Sequence, residues 1–188
     1  MLVARYEGKV YTKAEVYTPK DTLQERAKSD RAPYDVWARQ GWLTALPGRI
    51  IDYAAIAERL AFYHGRYRLM GIAYDRAYMT LLEKELDSQG VSNIPFVPWG
   101  QGYISMGKAI SSLEEVILNG SFKHDNNPLL NMSVANARME TDHTMNRRFT
   151  KKNSHGRIDP LVALAMAVGV AKSEPEPKQP SYQIFMLN

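Results

Sequence analysis

The chain has 188 residues, 45% hydrophobic and 23% charged, the make-up of a single globular domain long enough to bury a sizeable core. It has no cysteine, which excludes disulfides and thiolate metal sites, and its histidines (64, 124, 143 and 155) lack metal-ligand spacing, so a bound metal would be a hard, oxygen-held ion such as Mg2+ or Mn2+. The formal charge of +4 is too mild to establish a nucleic-acid partner, no apolar run reaches membrane-spanning length, and residues 1–20 show no secretory pattern.

Residues 1–6 (MLVARY) and 10–16 (VYTKAEV) read as two strands, with the turn at Glu7, Gly8 and Lys9. Thr18 and Pro19 end this hairpin, and a polar, partly helical arm follows over 21–30 and 34–41. Trp37 and Trp42 are core or lid aromatics. Residues 45–50 read as a loop, after which Asp52 caps a helix running to about Tyr63, with Ile56, Leu60 and Phe62 or Tyr63 turned inward and Gly65 at its end. Residues 67–74 (YRLMGIAY) suit a strand buried on both faces, and 76–86 return to helical spacing through Tyr78, Leu81, Leu82 and Leu86. A short strand follows at 94–97. WGQGY (99–103) leads into a helix with a core stripe of Met106, Ile110, Leu113, Val116 and Ile117, closed by Gly120. Residues 121–127 cross back through a polar segment, 128–136 are helical and 137–141 extended. Residues 173–180 (SEPEPKQP) form a tail without a packing face. This succession predicts an α/β fold with parallel strands joined by crossovers. The patterns GxxxxGK[ST], GxSxG and HExxH do not occur, so phosphate-loop ATPase, esterase and zincin readings have no support.

The stretch from 151 to 170, KKNSHGRIDPLVALAMAVGV, passes from basic and polar residues into a helix apolar on nearly every side. Asp159 is its expected N-cap, with Pro160 in the first turn. Arg147, Arg148, Lys151, Lys152, His155 and Arg157 crowd the approach, either as a solvated loop or as a place to hold phosphate. Asp75 closes the 67–74 strand, at the sheet edge where open α/β folds place their sites. Each aspartate reads equally as a helix cap; two from segments so far apart make a site worth testing.

Five collinear segments carry a family resemblance: PYDVWARQGWLTALPGRIIDYAAI (33–56), IAYDR (72–76), WGQGYISMGKAISSLEEVILNG (99–120), HDNNPLLNMSVANAR (124–138) and KKNSHGRIDPLVALAMAVG (151–169). Over residues 1 to about 171 the chain resembles the C-terminal nuclease domain of the large terminase subunit of tailed bacteriophages with HK97-like packaging machinery. The resemblance implies a ribonuclease H-like mixed sheet flanked by helices. It also implies a metal-dependent endonuclease that cleaves double-stranded DNA during genome packaging in the cytoplasm of the bacterial host, using Mg2+ or Mn2+, two ions in the complete domain. Asp75 and Asp159 match the family's metal-binding, catalytic carboxylates, and Lys152 and Arg157 match basic residues that contact phosphate. Asp142 is a further acid in the vicinity. The implied partners are double-stranded DNA, the portal, the small terminase subunit and the ATPase part of the large subunit, with no membrane.

One departure accompanies the match. The family's first strand carries its own catalytic aspartate, and the chain opens in what would be the second strand. The expectation is an N-terminally truncated domain over 1–171, followed by a tail over 172–188, that cuts weakly or not at all. A non-catalytic DNA- or portal-binding remnant is the alternative. A resolvase or transposase of ribonuclease H-like fold is a third reading, lacking an identifiable third acidic segment.

Overall fold

A computed structural model describes residues 1–76, 79–152 and 156–173. The expected hairpin forms from β1 (Leu2–Tyr6) and β2 (Lys9–Lys13), paired antiparallel. Its two turn residues have positive φ, +49° at Glu7 and +70° at Gly8, the backbone of a tight hairpin turn, which glycine adopts without cost. Three further pairings are parallel: β3 (Tyr17–Pro19) with β4 (Thr44–Leu46), β5 (Ile72–Tyr74) with β6 (Phe96–Pro98), and β2 with β7 (Phe122–His124). A second antiparallel hairpin joins β8 (Arg138–Thr141) to β9 (Arg147–Thr150). The helices are α1 (Leu23–Asp30), α2 (Tyr34–Arg39), α3 (Tyr53–Arg66), α4 (Met79–Ser88), α5 (Tyr103–Leu118), α6 (Pro128–Asn136) and α7 (Asp159–Ser173).

Several boundaries differ from the sequence reading. The expected loop at 45–50 begins inside β4, and the polar crossing at 121–127 contains β7. Both strands are three residues long, too short to show alternation. The strand expected over 67–74 is limited to Ile72–Tyr74, half-buried rather than enclosed, with Tyr67 and Met70 exposed. α3 continues through Gly65, and Phe62 and Ile117 face solvent. Asp52 does cap α3, its carboxylate accepting from the Ala54 N–H at 2.9 Å. Asp159 is the first helical residue rather than the cap, because Val162 N–H donates to the Ile158 carbonyl. Tyr78, His155 and residues 174–188 lie outside the described residues.

α7 organises the core. Leu161, Leu164, Ala165, Met166, Val168, Gly169 and Val170 are all buried, as expected of a helix apolar all round. They meet Met106, Ala109, Ile110, Leu113 and Val116 of α5, with Val3, Val10 and Ala73 packed alongside from the strands. Two close approaches fix this packing. A side chain at Gly169 would reach 2.9 Å from the Trp99 ring, and one at Gly71 would reach 2.7 Å from Val170. A smaller cluster of Leu23, Ala32, Tyr34, Leu43 and Leu129 gathers the arm, with Trp37 and Trp42 half-buried against it, so the core reading of both tryptophans holds. β1 and β5 both pack on α7, and each has a single strand partner among the described residues. No helix among them is long and apolar enough to cross a membrane.

Candidate metal and DNA-cleavage site

Asp75 follows directly on β5, and Gly71 at the other end of that strand lies against Val170 near the C-terminal end of α7. β5 packs on α7, Asp75 follows it in the chain, and Asp159 opens that helix. Both aspartates are exposed. The Gln101 side-chain amide donates to Asp75 Oδ2 at 2.7 Å. Sequence reasoning missed Gln101, although it stood between the glycines of WGQGY just past the strand that pairs with β5. Residues that follow two paired parallel strands emerge at the same sheet edge.

The basic approach is more committed than its sequence implied. Arg147 forms a bidentate ion pair with Glu114, at 2.7 and 2.6 Å. Arg148 binds Glu140 at 2.9 Å and lies over the Tyr103 ring, 4.4 Å from its centroid. Arg157 donates through Nε to Asp30 at 2.8 Å. Partial burial works against the charge on Arg157, but the Asp30 carboxylate more than offsets it and raises the guanidinium pKa. Asp30 is only 6% exposed and also accepts from the Tyr34 hydroxyl at 3.0 Å. Arg157 therefore ties the arm to the segment before α7, and phosphate would have to compete with a nearly buried carboxylate for it. Lys151 and Lys152 are exposed and have no ion pair among the described residues.

Asp142 sits in the β8–β9 turn. Its Oδ1 accepts from the N–H groups of Thr144 and Asn146 at 2.9 and 2.8 Å and from the Thr144 hydroxyl. Desolvation pushes its carboxyl pKa up, but these bonds outweigh it and hold the group below the usual range. Its acceptors are spent on the turn. Among the described residues no three His, Asp or Glu side chains gather closely enough to hold a metal ion. Asp75 and Asp159 each carry oxygen donors of the kind that a hard divalent ion prefers. Gly156 is buried against α6, where a side chain would run into the Asn136 amide. That approach holds the segment preceding Asp159 against the core.

Comparison with known proteins identifies the fold and the family of the chain. The large terminase subunit of Enterobacteria phage HK97 is 42% identical over 158 residues, covering 84% of this chain and 31% of that protein. The crystal structure of the HK97 bacteriophage large terminase superposes with a TM-score of 0.79 at 40% identity, over 87% of this chain and 34% of that one. The chain therefore spans about a third of the length of these relatives. A structure of the large terminase nuclease from thermophilic phage G20c, solved with bound cobalt, is more distant, with a TM-score of 0.46 at 17% identity over 66% of this chain and 64% of that one. The family model for the terminase large subunit endonuclease domain matches residues 1–175, and the chain belongs to that family.

Proposed function

We propose that this chain is the nuclease part of a large terminase subunit, and that Asp75 and Asp159 are ligands of the divalent metal with which the whole protein cuts double-stranded DNA during packaging. The observation that carries this reading is the convergence of β5 and α7, which places two exposed carboxylates on contacting elements within the family's endonuclease domain. Bound there, Mg2+ or Mn2+ would supply charge stabilisation at the cleaved phosphate and a water of lowered pKa.

The chain's own residues bind and orient. Gln101 fixes Asp75 through its amide, and Asp159 sits in the first turn of α7, where the helix dipole favours a negative group. Lys152 is an exposed cation for the DNA backbone. Arg157 fills that role only in exchange with Asp30. Among the described residues β1 bonds only to β2 and β5 only to β6. The portal, the small terminase subunit and the ATPase part are partners of the whole large subunit on this reading, and the bacterial cytoplasm is where it acts.

Calorimetric titration with Mn2+ tests the site, on the chain and on Asp75→Ala and Asp159→Ala, after circular dichroism shows each to be folded. Binding that disappears in both variants places the two carboxylates at one ion. Binding that survives both would remove them from the metal site, and a folded chain that binds no ion would favour a DNA- or portal-binding remnant.

A further inference from the structure

The three-stranded sheet β1-β2-β7 has one face on the core and one turned away from it. Val3 and Val10 pack into the core, and Arg5 donates to the Ala171 carbonyl at the end of α7, which identifies the inner face. Side chains alternate along a strand, so the register assigns the outer face as well. Leu2 lies opposite Lys13, Ala4 opposite Tyr11 and Tyr6 opposite Lys9, while Tyr11 is also level with Lys123 on β7. The outer face therefore presents Tyr6, Lys9, Tyr11, Lys13 and Lys123 together. Tyr6 is 59% and Tyr11 43% exposed, and the small Ala4 beside Tyr11 does not cover it.

The charge on the three strands is one-sided, with exposed Glu7 in the β1–β2 turn as the acid beside them. None of the three strands contributes a carboxylate. Beyond Lys13, Glu15 is bound by Arg59 and Tyr63, and beyond His124, Asp125 accepts from the Ala14 and Asn127 N–H groups. Lys9, Lys13 and Lys123 have no ion pair among the described residues, whereas Arg59, Arg147, Arg148, Arg157 and Lys172 all have one.

We propose that this face is a platform for single-stranded nucleic acid. Three uncompensated ammonium groups select a polyanion, and Lys9 and Lys13, four residues apart on one strand, stand roughly 14 Å from each other, enough to follow a backbone across successive phosphates. Two exposed phenol rings among them select a polyanion with flat, apolar faces to stack. That favours nucleobases over an acidic protein surface. A duplex keeps its bases stacked on one another and offers the rings only sugar and phosphate, whereas a separated strand offers both partners. The platform requires neither Asp75 nor Asp159, and no metal.

Fluorescence anisotropy of a labelled oligodeoxythymidylate of about 15 nucleotides, titrated with the full chain in EDTA, tests this. Chelation separates the outcome from that of the carboxylate site. The expected result is single-strand binding tighter than binding of a duplex of equal length, weakened roughly 5-fold or more by Tyr11→Ala and retained by Tyr11→Phe. The combined Lys9→Gln, Lys13→Gln and Lys123→Gln variant should lower the log–log salt slope by about 2. Equal affinity of wild type and Tyr11→Ala would overturn the proposal. So would equal or tighter duplex binding, or displacement of the oligonucleotide by polyglutamate at the same charge concentration.

Discussion

Glu15 stands just past β2, where four side chains share one negative charge. Arg59 reaches it with Nε at 3.1 Å and with Nη2, and the hydroxyls of Tyr63 and Tyr17 donate to the same carboxylate. Burial alone would raise the Glu15 pKa, but the hydrogen bonds outweigh it and bring the group from 4.5 down to about 2. The depressed value means that the stability Glu15 contributes is present above about pH 4.5 and is lost as the pH falls toward 2. On the alkaline side, burial and the nearby carboxylate raise Tyr17 and Tyr63 from 10 to about 12, so their contribution is present below pH 10 and is lost between 10 and 12. Each pKa unit is worth about 1.4 kcal/mol, and solvent at Arg59, 39% exposed, screens part of this. We expect Glu15→Gln to cost about 1–2 kcal/mol at pH 7 and to flatten the acid limb of a urea-midpoint profile between pH 4.5 and 2. An acid limb unchanged in the variant would assign that limb to other carboxylates. This network is not legible in the sequence, since Glu15 and Arg59 meet across 44 residues. Asp75 and Asp159 stand out in the sequence as candidates because one closes an apolar run and the other opens one. The pairing of Arg157 with Asp30, 127 residues away, does not stand out, and it sets a nearly buried carboxylate in competition with any phosphate at Arg157.

α6 touches both clusters with adjacent residues. Leu129 enters the arm cluster and Leu130 the α5–α7 core, each nearly fully buried. Neighbouring positions on a helix point about 100° apart, so one short helix can join two cores only where they flank it. Asn127 fastens the start of this helix, its side chain accepting from the Leu129 N–H and donating to the Trp42 carbonyl. Truncating either leucine should cost about 2–5 kcal/mol locally, but the consequences should differ. In hydrogen exchange, Leu129→Ala is expected to speed exchange in α1 and α2 while α5 and α7 stay protected, and Leu130→Ala to lower protection throughout. The same exchange pattern in both variants would mean that the arm and the core unfold as one unit. Elements of this kind, α5, α6 and α7, were read correctly because ten or more residues of periodic apolar spacing or a Pro start leave little choice. β4 and β7 were missed for the opposite reason. A three-residue strand owes its existence to the neighbour it pairs with, here β3 and β2, and that neighbour lies many residues earlier.

At the scale of the molecule, the sheet is interrupted where its catalytic residues are proposed to lie. β1 and β5 both rest on α7, β1 bonded only to β2 and β5 only to β6 among the described residues, so each shows α7 a strand with one unpaired edge. Unpaired edges over a buried helix lose hydrogen bonds worth about 0.5–1.5 kcal/mol each and invite another strand. The directions set what would fit, because β1 runs opposite to β2 and β5 runs with β6. We expect an apolar, alternating strand fused upstream of Met1 to raise the urea midpoint and to protect amides in both Leu2–Tyr6 and Ile72–Tyr74. Two versions separate structure from chemistry, one with an aspartate on the strand near Asp75 and one with asparagine there. Both should stabilise the fold, since the backbone bonds are the same. Only the aspartate version should tighten Mn2+ binding, because a hard ion gains most from a third carboxylate. Protection confined to one of the two strands would show that β1 and β5 do not flank a common opening. Equal Mn2+ affinity for the two versions would show that the strand completes the sheet without completing the site.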